Sequence, residues 1–259
     1  MEEESKNFKL ETAHNRINLH QQRNCFELRS EDNALQSRID LSQPHRLGLK
    51  NLEHLMSVLL FIPEPKSILL LGTAAGSLVH FLRHYLPDSE LTALDIDADL
   101  VETMLQMDIL PPAGNGLSYV YADAAHYLAN CDAQYDLILV DIFSGARSPP
   151  WLLAKNSIDQ LYRGLGGNGA VAFNLLIDSE HEFKKFYRDL RRVFGGRTLC
   201  QPVQGFENTI AFGIRHRPPL RDMAAYLRLA TELAQKYELD FLPILSVIYN
   251  TNPVGGGVL

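Results

Sequence analysis

The stretch Ser67-Ile68-Leu69-Leu70-Leu71-Gly72-Thr73-Ala74-Ala75-Gly76-Ser77 decides the fold. Its apolar run, introduced by Pro65 and closed by Gly72, reads as a strand buried on both faces of a parallel sheet. The small residues that follow make a tight turn, and a helix pattern runs from Gly76 to about Leu86. A strand, a glycine turn and a helix in that order place backbone N–H groups and a positive dipole end where a carboxylate, ribose or phosphate can sit. Taken alone, a G-x-x-x-G turn is equally a device for close strand–helix packing.

Working downstream, residues 91–94 give a second strand ending in Asp95, followed by a helix over 98–106. Strands at 117–121, 137–140 and 170–174 continue the alternation, with helices over 124–130 and 150–163 between them. Gly164, Gly166, Gly167 and Gly169 mark the turn before the fifth strand. A helix over about 180–194 precedes two more strands, 197–202 and 208–213, which suit an antiparallel edge. Upstream, 24–29 and 34–39 predict a short hairpin, with a helix over about 47–60. Residues 220–237 form an amphipathic helix, and the glycine-rich 252–257 a flexible tail. The expected fold is α/β: a doubly wound, mostly parallel seven-stranded sheet with a short N-terminal β-hairpin and a C-terminal helix. Expected units are 1–60 (tail, hairpin and lead-in helix), 61–215 (the nucleoside-binding domain) and 216–259 (helix and tail).

Three loops at strand ends carry the chemistry. The glycine turn, Gly72 to Ser77, is the first. In the second, Asp95 lies about 20 residues beyond the turn, where a carboxylate takes ribose hydroxyls and repels a 2′-phosphate. Asp97 reads as a helix N-cap instead. The third element pairs Asp123 with Asp141 along one rim. Asp123 can accept from an adenine amino group or cap the helix behind it. Asp141 ends the apolar run Leu137-Ile138-Leu139-Val140, so its carboxylate must find a partner or face a cleft.

Bulk properties narrow the function. The chain has 259 residues, 46% hydrophobic and 21% charged, enough for one large domain with a small addition. A net charge of -7 argues against nucleic acid as the main partner. Cys25, Cys131 and Cys200 show no CxxC spacing, so neither zinc nor a disulfide framework is indicated and a cytoplasmic location is expected. The acidic start and the absence of a long apolar stretch argue against export and against a membrane partner. His80 and His84, four apart on a helix, lack a third ligand, and no metal is expected.

Several segments together resemble the spermidine synthase family. They are the strand and turn from Ser67, Ala93-Leu94-Asp95-Ile96-Asp97, Tyr121-Ala122-Asp123-Ala124, and Tyr135-Asp136-Leu137-Ile138-Leu139-Val140-Asp141. Upstream, Ala34-Leu35-Gln36-Ser37 and Phe61-Ile62-Pro63-Glu64-Pro65-Lys66 fit as well, so the likeness runs from the hairpin to Asn174. It implies the class I methyltransferase-like fold and a donor that is S-adenosylmethionine or its decarboxylated form. It further implies that Gln36, Gly72, Thr73, Ala74, Ala75, Gly76, Asp95, Ile96, Asp123 and Ala124 surround the nucleoside, with Asp141 as the base that deprotonates an attacking amine.

This chain departs from the family at two places. Ala75 occupies the place of an Asp that holds the donor's amine, and Asp141-Ile142-Phe143-Ser144-Gly145 lacks a second acid for a cationic polyamine. The region before Gln36 is also short for the family's amino-terminal β domain, which helps form its oligomer; a homo-oligomer stays open. The expectation is therefore a transferase that moves an aminopropyl or methyl group to an unidentified acceptor. A non-catalytic binding or assembly protein is the alternative, and an NAD-linked oxidoreductase ranks last for want of G-x-G-x-x-G.

Overall fold

The computed structural model describes residues 5–145, 147–216 and 222–252. The chain opens with four antiparallel strands, β1 (Ser5–Glu11), β2 (Arg16–Gln22), β3 (Cys25–Ser30) and β4 (Leu35–Asp40), paired in that order. The expected hairpin is β3–β4, and two strands precede it. Their outward residues are Lys, Asn, His and Gln, which leaves only Phe8, Leu10, Ile17 and Leu19 to carry the period-2 signal. Ile17, Leu19, Phe26, Leu28 and Ile39 turn inward and join the main core.

Helix α1 (Lys50–Leu55) and a 3-10 turn (Met56–Leu60) lead into the large sheet, in place of one continuous helix. Then follow β5 (Ser67–Leu71), α2 (Ser77–Tyr85), β6 (Glu90–Asp95), α3 (Ala98–Gln106), β7 (Leu117–Tyr121), α4 (Ala124–Asn130) and β8 (Tyr135–Val140). The second half comprises α5 (Lys155–Arg163), β9 (Leu165–Leu175), α6 (Glu180–Val193), β10 (Thr198–Pro202), β11 (Thr209–Ile214), α7 (Met223–Tyr237) and α8 (Phe241–Thr251). Helix α5 starts five residues later than expected, because the preceding Pro-Pro stretch forms turns. The predicted 197–202 and 208–213 pair is present, but β11 lies inside the sheet with only β10 at the edge. Helix α8 escaped notice because Pro243 interrupts the pattern; it falls in the first turn, where no N–H is needed. Most of the expected tail, 253–257, lies outside the described residues.

Seven strands run in the order β10-β11-β9-β8-β5-β6-β7, and β11 alone opposes the rest. Residues alternate strictly between the two faces. Ile68, Leu70, Leu137, Leu139, Ala170 and Ala172 pack under α2, α3, α7 and α8, whereas Leu69, Leu71, Ile138, Val140, Val171 and Phe173 pack under α4, α5 and α6. Chain direction reverses its winding between β5 and β8, so a crevice opens at their carboxyl ends.

Two long-range ties complete the fold. On edge strand β10, the Cys200 N–H donates to Asn252 Oδ1 (3.0 Å) and Asn252 Nδ2 donates to the Cys200 carbonyl (2.8 Å). At the rim, Asp97 is buried; its Oδ1 caps α3 through Leu100 N–H, as expected. Its Oδ2 accepts from Thr12 Oγ1 and Asn15 Nδ2, both at 2.6 Å, which fastens the β1–β2 turn to the large sheet. Asp97→Ala is expected to lower stability by about 2 kcal/mol in urea unfolding. A double-mutant cycle with Thr12→Val should show coupling of about 0.5–1 kcal/mol.

Candidate active site

Local backbone constraints build the rim. Gly72 adopts φ +92°, and a Cβ there would lie 2.2 Å from the Asp141 carbonyl oxygen, so only glycine lets the ends of β5 and β8 meet. Its N–H donates to the Leu94 carbonyl (2.8 Å). Ala74 is held in the left-handed region at φ +47° although it carries a side chain. Asp95 holds that turn: its Oδ2 accepts from Thr73 N–H (2.8 Å) and Ala74 N–H (3.3 Å), and its Oδ1 from Asp97 N–H (3.0 Å). The sequence alone suggests a ribose partner for this carboxylate; in the structure it shapes the turn, and one acceptor site stays open on Oδ1.

Gly76 begins α2 without a side-chain cap, leaving the first-turn N–H groups without partners from that residue. Ala75 is fully buried within the core, so its side chain faces no open surface. Gln36 lies on the exposed face of β4, while its neighbour Ser37 turns inward to meet Ser77 Oγ at 2.9 Å. Asp123 is exposed and caps α4 through His126 N–H (2.8 Å), with Ala124 buried behind it. Ile96 and Tyr121, at the ends of neighbouring strands, are 44% and 45% exposed, an apolar wall that a planar base can cover. In the sequence Tyr121 has no role beyond opening the segment Tyr121-Ala122-Asp123-Ala124; the structure sets it in register beside Asp95.

Asp141 follows β8, one strand from the glycine turn. Its Oδ1 accepts from Asn174 Nδ2 (2.8 Å), and Asn174 Oδ1 accepts from Asn208 Nδ2 (2.9 Å). Both asparagines are buried. Burial pushes the Asp141 carboxyl up to about 6, and the Asn174 hydrogen bond opposes that rise. Asn174 closes the fifth predicted strand, yet an amide carries no charge to draw notice. Asn208 was hidden by topology, since an antiparallel strand presents its beginning at the rim where parallel strands present their ends.

The loop after Asp141 is pinned down: Ser144 N–H donates to the Arg147 carbonyl, Ser148 exchanges two bonds with Leu176, and Arg147 pairs with Asp178. Phe143 is half-buried there, and Trp151 packs against the core. His80 Nε2 meets the Ile109 carbonyl and His84 stacks on His45, and among the described residues no metal-ligating group of three gathers. No described helix is long and apolar enough to cross a membrane.

Asp141, the glycine turn, Asp95 and Asp123 thus terminate four adjacent strands, β8, β5, β6 and β7. At about 4.8 Å per strand the row spans roughly 14 Å, the length of a nucleoside with a short chain. Fold and strand order together define a class I methyltransferase-like chain. No family model matches the chain. The polyamine aminopropyltransferase of Chromobacterium violaceum is 28% identical over 243 residues, 94% of this chain and 93% of that one. A probable spermidine synthase from Corynebacterium glutamicum superposes with a TM-score of 0.76 at 20% identity, covering 88% and 86% of the two chains. Human methyltransferase-like protein 13, solved with SAH, gives 0.63 at 22% identity, over 76% and 92%. Within its class the chain is spermidine synthase-like.

The raised Asp141 carboxyl has a stability consequence. Folding raises its pKa from 3.8 to about 6, so the folded state binds protons more tightly and loses stability as pH climbs through that window. Asp141→Asn should therefore unfold at higher urea than the parent at pH 8, by roughly 1–2 kcal/mol, with the gap closing near pH 4.

Proposed function

We propose that the chain is a group transferase that binds S-adenosylmethionine or its decarboxylated form along the rim from Asp141 to Asp123. Aminopropyl transfer to an amine is the leading reading. Asp141 carries it: a carboxylate poised near neutrality, held by Asn174 and set one strand from the glycine turn. The nearly full-length likeness to a polyamine aminopropyltransferase supports the same choice.

The residues present fit such a donor. Thr73 Oγ1 is buried in the turn without a hydrogen-bond partner, and the wall of Ile96 and Tyr121 is apolar and open. Gly72 to Gly76 would hold the sulfur end through backbone and Asp95 the ribose, with Ile96, Asp123 and Ala124 about the base and Gln36 on the outer side. The donor, when bound, supplies a carbon made electrophilic by a positively charged sulfur. As the acceptor nitrogen bonds to that carbon, the carbon–sulfur bond breaks and its electron pair leaves with sulfur as a neutral thioether; Asp141 takes the proton that the nitrogen loses, and Asn174 steadies the carboxylate until then.

Methyl transfer is the second reading. It is favoured by the turn from Gly72 to Gly76, none of whose residues carries a carboxylate to hold a donor amine or to repel the carboxylate of intact S-adenosylmethionine. Calorimetric titration with S-adenosylmethionine, its decarboxylated form, methylthioadenosine and NAD decides. Preference for the decarboxylated donor is expected, preference for the intact one would establish methyl transfer, and binding of none would leave a reused fold. Ile96→Asp, an exposed change, should weaken binding about tenfold with little change in Tm. Asp95→Ala is less informative, because it also frees the turn. The transfer rate should rise with pH through about 6 and level off above 7, as Asp141 ionises.

A further inference from the structure

Asn174 sits between two polar groups in a place without bulk water, and its amide is two-ended. Its N–H₂ and carbonyl ends are nearly the same shape, so partners alone decide which end faces Asp141. The ionised carboxylate can only accept, so it draws the N–H₂ end. The carbonyl end then points the other way and needs a donor, and Asn208 Nδ2 supplies it at 2.9 Å. Asn208 is itself fixed: its carbonyl accepts from Val203 N–H (2.9 Å), closing the β10–β11 turn, and its side chain is buried. Among the described residues, Asn174 makes the one hydrogen bond to the Asp141 side chain, which leaves Oδ2 for an incoming proton.

We propose that Asn208 is a positioning residue for Asp141: by donating to Asn174 it fixes the direction of that amide and keeps Asp141 an acceptor. The assignment rests on the reading of Asp141 as the base. If position 208 offered an acceptor instead, Asn174 would turn its N–H₂ toward it and set a carbonyl against the carboxylate, favouring a protonated Asp141 that donates. Other charged groups on the surrounding elements are already engaged. Asp95, beyond the glycine turn, accepts from backbone N–H groups, and Arg147 on the following loop pairs with Asp178; Glu207, beside Asn208, is exposed.

The test is carbon-13 NMR titration of the Asp141 carboxyl in the full chain without donor, its signal assigned by loss in Asp141→Asn. Asn208→Leu keeps the branched shape and removes the donor without adding charge. Asn208→Asp keeps the shape and reverses the polarity. The expected midpoints rise in order, by about half a pH unit or more in Asn208→Leu and further in Asn208→Asp. A parental midpoint in Asn208→Leu overturns the proposal, even if Asn208→Asp moves, since added charge alone explains the latter. Should Asn208→Leu fail to fold by circular dichroism, Asn208→Ala is read in the same way. Where transfer is measurable, Asn208→Leu should lose about twofold or more in rate at pH 6 and recover at pH 8, which a packing defect would not do. Because the titration needs no donor, a shifted midpoint with no transfer would condemn the transferase reading while leaving the relay intact.

Discussion

Everything on the rim depends on one close approach, that of Gly72 to the carbonyl of Asp141. A single added carbon would collide there at 2.2 Å. Because the two central strands can meet, Asp141 lies beside the turn rather than across a gap, and the crevice at the winding reversal has a floor of backbone. Asp95 secures the other side of the same turn. Its grip on Thr73 and Ala74 offsets the strain of a left-handed alanine, which isolated chain would not maintain.

The central α/β alternation was legible in the sequence because β5 and β8 are too apolar to be anything but buried strands. Asp141 and Asp95 stood out for the reciprocal reason, as charges closing such runs. What stayed hidden had weak local signals. Strands β1 and β2 place polar side chains outward, and α8 carries a proline in its first turn. Asn208 precedes a strand instead of following one, so its place on the rim follows from chain direction within the sheet, a property of tertiary pairing rather than of local pattern.

The chemistry around Asp141 is sparse in charge. Ile142, Phe143 and Ser144 offer no carboxylate beside it, and Arg147 is committed to Asp178. On this side Asp141 is flanked by apolar and hydroxyl side chains, and the Asp178 carboxylate is paired. The loop itself is held in place by its bonds to Leu176 and Asp178.

The clasp of Asn252 on Cys200 reaches beyond local stability. A sheet's outermost strand offers a row of open backbone groups on which other chains can template themselves. Here one carboxamide imitates a neighbouring strand for a single residue, satisfying both backbone groups of Cys200 midway along β10. The sheet is thus terminated by a side chain borrowed from a helix. A strand added on that flank would have to displace Asn252 from Cys200.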